Sequence, residues 1–329
     1  MKAETGKATA EAFYREEWWP WMCDLARQNQ LKYTGMLVET YNNQTQGPFP
    51  EADARNTAIA YGHALLNMGG ELGLHGYNHE LLTTKDTSDT ELGYTPWPDA
   101  EEMEAATKEL YRYAKSLYPD YTFQVYVPAS NILDADGAAV VQSAIPTLRC
   151  IASLYNGPRA YPGYYQTFHR DANGIYQLPR ISSGYMPDAA IRLSALSELS
   201  HRGVFAHFVH PDQIFYASSE DQHWSQMKAA FTSFLADLTA RYPWLTPVTA
   251  SESLPYFEDF DQLDYRVQRT ENYCELHVWG HSGEVRFLLR SQRELDHADG
   301  CTAEVIGEDC YLVRMTGTQA RLYWRDDAS

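Results

Sequence analysis

Hydrophobic and polar positions alternate between two periods along the first 260 residues, and that alternation predicts strands and helices in turn. "EAFYREEWWPWMCDLARQN" has helical spacing, with Pro20 set to kink it or to mark a second start. "LKYTGMLVE" reads as a strand. "EADARNTAIAYGHALLNMGG" is a helix stopped by Gly69 and Gly70, and it feeds "ELGLHG", the next strand. "PDAEEMEAATKELYRYAKSLYP" is the clearest helix, opened by Pro98 and acidic residues and closed by Pro119. "YTFQVYVP" and "TLRCIASLY" are further strands, separated by a short helix around "DGAAVVQSAI". "DAAIRLSALSELSHRG" then gives a helix, "VFAHFVH" a strand, and "SEDQHWSQMKAAFTSFLADLTARYP" a long amphipathic helix.

Five or more strand–helix units predict a parallel α/β core, closed or nearly closed as a β/α barrel, with an open doubly wound sheet as the alternative. From about residue 261 the rhythm changes. "YCELHVWG", "EVRFLLR", "AEVIGE", "CYLVRMTG" and "ARLYWRD" are short alternating segments broken by turns, which predicts a small antiparallel, sandwich-like unit. The expected organisation is thus a barrel over residues 1–260 and a β unit over residues 261–329. Leu276, Val278, Val285, Phe287, Leu289, Val313 and Leu322 form its inward set.

At 329 residues and 44% hydrophobic content the chain can bury one large core with a small satellite. A formal charge of −18, with no basic run to offset it, argues against a nucleic-acid backbone or an anionic membrane surface as partner. No apolar run approaches the roughly 20 residues of a membrane span. The first residues, "MKAETGKATAEAFYREEWW", lack a hydrophobic segment of signal-peptide type. Cys23, Cys150, Cys274, Cys301 and Cys310 are odd in number and form no CxxC pair; a Cys301–Cys310 bridge or free thiols are the readings available. The 24 tyrosines and eight tryptophans exceed what a core needs, and aromatic faces stack on sugar rings.

Candidate chemistry gathers where strands end, because catalytic groups of an α/β barrel sit at the carboxyl ends of its strands. In "GGELGLHGYNHE", His75 closes a strand and His79 follows four residues later, a spacing that one helical turn would bring to the same face, as two ligands of one divalent ion. The plain alternative is a turn cap and a surface residue. "GVFAHFVHPDQIF" places His207 and His210 at another strand end with Asp212 beyond, an arrangement suited to proton donation by an oriented imidazole. The alternative is a core His207 and a His210 that only precedes a proline turn. His63, Glu16 and Glu17 read as structural or solvated positions, while Arg149 and Arg180 suit buried ion pairs or substrate. No nucleophile elbow, Walker loop or dinucleotide fingerprint occurs.

"LGLHGYNH" resembles the histidine motif of NodB-like polysaccharide deacetylases, and "FAHFVHPDQ" resembles their late histidine motif. "YREEWWPWMCDLARQNQLKYTG", "VYVPASNIL" and "PWLTPVTASE" are similar to the divergent branch containing the Pel exopolysaccharide deacetylase domain, over most of residues 11 to 258. The resemblance implies a distorted (β/α) barrel and a metal-dependent carbohydrate esterase that removes N-acetyl groups from an exopolysaccharide or cell-wall glycan, in an extracellular or cell-envelope setting. It implies a divalent metal, zinc first, on His75 and His79, with His210, or else His207, as the late acid and Asp212 beside it. The family's adjacent Asp pair has no counterpart in residues 1 to 10, "MKAETGKATA". The first barrel strand is therefore expected to be missing, through truncation of a longer protein or natural loss, and deacetylation to be weak or nil. The alternative function is a catalytically dead carbohydrate-binding relative. Glu39 is the one carboxylate at a strand end before His75.

Overall fold

In the computed structural model, residues 9–53, 55–85, 93–153, 166–201 and 203–325 are described. Residues 1–8, within which most of the missing-strand question falls, lie outside them, as does the end of the "TLRCIASLY" strand. The chain divides into two compact units, Met1–Glu252 and Ser253–Ser329.

The first unit is a mixed α/β structure. α1 (Ala10–Phe13) runs through a π-helical turn, Tyr14–Trp18, into α2 (Trp19–Asn29). Pro20 falls in the first turn of α2, where its missing N–H costs least, and the wide turn precedes it, so the helix continues past the proline. β1 (Thr34–Leu37) and β2 (Glu71–Leu74) pair in parallel across α3 (Arg55–Asn67), with Leu37 opposite Leu74. α4 (Ala100–Leu117) is capped by Asp99, whose side chain accepts from the Glu102 amide, and its apolar stripe of Met103, Leu110 and Leu117 is buried. β3 (Val125–Tyr126), α5 (Ala135–Ala144) and β4 (Cys150–Ile151) come after it.

A hairpin not foreseen from sequence comes next, formed by β5 (His169–Arg170) and β6 (Tyr176–Gln177). Its turn is held by Asp171 Oδ1, which accepts from the amides of Asn173 and Ile175, and by Gly174 at φ 83°. The sheet order is β1-β2-β3-β4-β6-β5, parallel except at β5. Beyond β6, β7 (Ser182–Ser183) pairs in parallel with β8 (His207–Phe208), and α6 (Ala189–His201) connects them. α7 (Trp224–Arg241) and α8 (Ala250–Gln262) complete the helices; the unit boundary falls within α8.

Two apolar clusters fill the first unit. One surrounds the sheet with Leu74, Leu110, Tyr126, Val141 and Ile151; the other joins Phe13, Trp18, Tyr185, Ile214, Trp224 and Phe231. Each fully buried side chain of this size contributes about 1.5–3 kcal/mol. Ser253–Ser329 holds two antiparallel sheets: β12 (Leu295–Asp299), β15 (Gln319–Trp324), β10 (Tyr273–Trp279) and β9 (Asp264–Arg269) in one, β11 (Val285–Arg290), β14 (Cys310–Met315) and β13 (Thr302–Gly307) in the other. Leu276, Val278, Val285, Leu289, Val313 and Leu322 are buried between them and Phe287 packs against that core. All five cysteines are free thiols. Among the described residues no helix is long and apolar enough to cross a membrane.

The segment after His79 is tied to α5. Leu82 bridges Leu133, its carbonyl accepts from the Asp134 amide, and Thr83 Oγ1 donates to the Asp134 carboxylate at 2.7 Å. Gly137 makes this approach possible, since a Cβ there would lie 2.0 Å from the Leu82 carbonyl oxygen. Gly137→Ala is therefore expected to destabilise the fold by about 1–3 kcal/mol in denaturant unfolding, as overpacking against backbone does; an unchanged midpoint would contradict this close contact.

Candidate functional site

β2 ends at Leu74, and three backbone hydrogen bonds fix the course of the chain beyond it. The His75 amide donates to the Leu37 carbonyl at 2.9 Å, the Val127 amide to the Leu74 carbonyl at 2.9 Å, and the Thr40 amide to the Tyr77 carbonyl at 2.6 Å. His75 is thus clamped between the ends of β1 and β3. Its Nδ1–H donates to the Val127 carbonyl at 2.6 Å, which leaves Nε2 as the nitrogen with a free lone pair.

His79 reaches the same place by a route other than the expected helical turn. Residues 75–80 form no helix and bend over residues 77–79, with Gly76 at φ 117° and His79 itself at φ 60°. Two left-handed residues fold the loop back, so the two imidazoles meet edge to face at 4.8 Å between centroids. Buried Asn78 holds the bend by donating to the Gln44 carbonyl. Tyr41 and Tyr94 flank the His79 ring at 5.7 and 6.2 Å.

Burial is the leading cause of depressed pKa values across the group. That of His75 falls to about 3, lowered also by His79, Arg180 and His210 and opposed by the Val127 hydrogen bond. Those of His79 and His210 fall as well, and in both the carboxylate of Asp212 acts in the opposite direction. His79, Arg180 and His210 thus act on His75, and Asp212 acts on His79 and His210. Tyr216 donates to Asp212 Oδ1 at 3.0 Å, and the same carboxylate helps to raise the phenols of Tyr14 and Tyr41, so neutral hydroxyls surround it. His210 is held from behind: Trp18 Nε1 donates to the Tyr185 hydroxyl at 2.6 Å, and that hydroxyl donates to the His210 carbonyl at 2.9 Å.

His207 is differently occupied. Its Nε2–H donates to the Gly184 carbonyl, its Nδ1 accepts from the Ser182 hydroxyl, both at 2.8 Å, and its ring stacks on Phe231 at 5.3 Å. With both nitrogens engaged it is a partly buried packing residue. Glu39 points elsewhere too. It is buried, accepts from the Ala52 amide at 3.2 Å, and is influenced by Glu109, Arg112 and Glu51 instead of the histidines.

Arg180 and Asn131 complete the centre. The Arg180 guanidinium lies 3.9 Å over the Phe208 ring, donates to Asn131 Oδ1, and has its pKa lowered to about 10 by burial. Ser130 and Asn131 both adopt left-handed backbone, at φ 45° and 63°. Arg180 was legible from sequence only as a cation suited to a buried ion pair or to substrate. Asn131 carried one signal, asparagine's tolerance of that backbone region.

Two neutral, oriented imidazoles suit a divalent ion such as zinc. A catalytic zinc site ordinarily has three protein ligands, and among the described residues no three His, Cys, Asp or Glu side chains converge as a metal-binding group. The pair therefore fits part of such a site, and no chemical step is assigned through the ion.

A family model described as "Uncharacterised protein conserved in bacteria (DUF2194)" matches residues 1–312. Curated protein sequences give no match. Among solved structures the chain is similar to a CE4 family pseudoenzyme from Bacillus anthracis, at 9% identity and TM-score 0.38, covering 72% of this chain and 60% of that one. It is also similar to the Xyl-CE4 domain of a multidomain xylanase from the hindgut metagenome of Trinervitermes trinervoides, at 12% identity and TM-score 0.39, covering 74% and 85%. A third similarity is to 4-alpha-glucanotransferase from Thermococcus litoralis, at 12% identity and TM-score 0.45, covering 74% and 37%. The chain thus spans about three fifths of the pseudoenzyme and little over a third of the glucanotransferase. Likeness of this size fixes neither fold nor chemistry, which rest on the chain's own residues.

Glu39 yields a pH test. Burial raises its pKa from 4.5 to about 8, so it folds as the neutral acid and its second oxygen lacks a partner among the described residues. A raised folded-state value means that its contribution to stability is complete below pH 4.5 and is lost as pH rises through about 8. Glu39→Gln should therefore gain stability relative to the wild type between pH 5 and 9, read from urea midpoints. Parallel pH curves for the two proteins would contradict the buried, neutral assignment.

Proposed function

The chain belongs to the DUF2194 family of proteins conserved in bacteria, and we propose that it is a polysaccharide deacetylase-like protein of NodB type, built on a distorted β/α barrel, whose histidine centre faces an N-acetylated glycan. The observation that carries this reading is the pairing of His75, which directly follows β2, with His79, their rings meeting at 4.8 Å, while His210 acts electrostatically on His75 and Asp212 on His79. His75 and His79 would hold a divalent ion, which when bound supplies a polarised acetyl carbonyl and an acidified water.

The protein's own residues perform the remaining tasks. His210 would exchange the proton at its ring nitrogen, its pKa lowered first by burial and raised in turn by Asp212, whose carboxylate would stabilise the imidazolium. Tyr41 and Tyr94 beside His79, and Tyr216 beside His210, would provide ring faces to seat a sugar. Turnover is weak on this proposal, because two imidazoles hold a metal loosely. The proposal places the protein outside the cell or in its envelope, where such glycans occur.

A second reading, a catalytically silent glycan-binding relative, is favoured by one feature. The guanidinium of Arg180 acts on both His75 and His210, and a fixed positive charge there opposes a dication.

Acetate release from an N-acetylated glycan oligomer, with zinc or cobalt added, together with calorimetric zinc titration, separates the two readings. The deacetylase reading expects weak zinc binding and slow release, both lost in His75→Ala by about 10²-fold or more in rate. Glycan binding without acetate release would favour the second reading, and zinc affinity unchanged in His75→Ala would remove the metal assignment.

A further inference from the structure

Near the histidines lies a cation, Arg180, with no ion-pair partner among the described residues. Arg180 lies between β6 and β7, its amide tied to the Ser153 carbonyl at 2.6 Å. Its guanidinium covers the Phe208 ring, donates to Asn131 Oδ1, and influences His75 and His210. Its Nε–H is closed off from water and meets no acceptor among the described residues. Asp212 acts on His79, His210, Tyr14, Tyr41 and Tyr216, and among the described residues no acid contributes to the environment of Arg180.

Such a group calls for a partner. A desolvated guanidinium is costly unless an anion compensates it, and buried donors are nearly always satisfied. The bonded partner that Arg180 does have is positioned at a cost: Asn131 and Ser130 sit in left-handed backbone, and Ser153 Oγ donates to the Asn131 carbonyl at 2.8 Å to hold that turn. The turn therefore aims the guanidinium and leaves its buried Nε–H without a bond among the described residues.

We propose that Arg180 receives a carboxylate carried by the ligand, so that the histidine centre selects an acidic ligand over a neutral one. The Nε–H and adjacent Nη–H form the planar fork that matches a carboxylate's two oxygens. The inference rests on the reading that this centre faces a glycan, and it is independent of metal and of turnover.

The test is equilibrium binding to the full chain of glucuronic acid, N-acetylglucosamine and acetate, for the wild type, Arg180→Gln and Arg180→Lys, with circular dichroism to report folding. Glucuronic acid should bind at least about 10-fold more tightly than N-acetylglucosamine, and Arg180→Gln should lose on the order of 10- to 100-fold of that affinity while leaving the neutral sugar unaffected. Arg180→Lys keeps the charge without the fork and should fall between; if Arg180→Gln does not fold, this intermediate loss decides. Acetate bound with the same dependence on Arg180 would show that the carboxylate alone suffices, and acetate much weaker than glucuronic acid would show that the sugar ring adds to it. Equal binding of both sugars, or a preference that survives in Arg180→Gln and Arg180→Lys, would overturn the proposal while leaving the glycan reading in place. Absence of binding to every sugar would overturn both.

Discussion

The bond from His75 Nδ1–H to the Val127 carbonyl is the constraint on which the centre depends. It exists because β1, β2 and β3 run parallel and end at one level, so that the backbone of β3 arrives beside the side chain of the residue closing β2. A single hydrogen bond of this kind fixes tautomer, ring plane and burial together. The lone pair then has one direction, and the depressed pKa keeps it available at neutral pH. His79 depends on the same clamp, since its loop starts from His75 and returns to it through two left-handed residues.

The second apolar cluster performs the matching task for His210. Trp18 and Tyr185 are buried, and their paired hydrogen bonds end on the His210 backbone. The aromatic density of "REEWWPW" thereby has a use in packing: Trp18 helps to set the height of a residue nearly 200 positions away. Tyr185 and Trp224 stack edge to face at 5.5 Å, which stiffens that support.

The alternating rhythm made the parallel order of β1 to β4 and the separate antiparallel segment legible, because each amphipathic helix has to cover a strand before the next begins. The His75 strand end was legible for the same reason. The hairpin of β5 and β6 was missed although "DANG" is turn chemistry, because its two-residue strands are too short to show a period. The route of His79 was also missed: a four-residue spacing suggests a helical turn, and only the left-handed Gly76 shows that the loop doubles back instead. Glu39 looked available because it stands near a strand end, yet it lies two residues past β1 and its side chain accepts from Ala52 and is influenced by Glu109, Arg112 and Glu51. Arg180 and Asn131 are 49 positions apart, and no local pattern announces that they meet.

The central claim is that the Val127 carbonyl locks His75 so that Nε2 faces the centre. Side-chain ¹H–¹⁵N NMR of the full chain, with His75→Gln to assign the signal, tests it most directly. The account predicts a neutral His75 ring protonated at Nδ1, with a pyridine-type Nε2, from pH 8 down to pH 5. A ring protonated at Nε2, or one that titrates near pH 6.5, would contradict it.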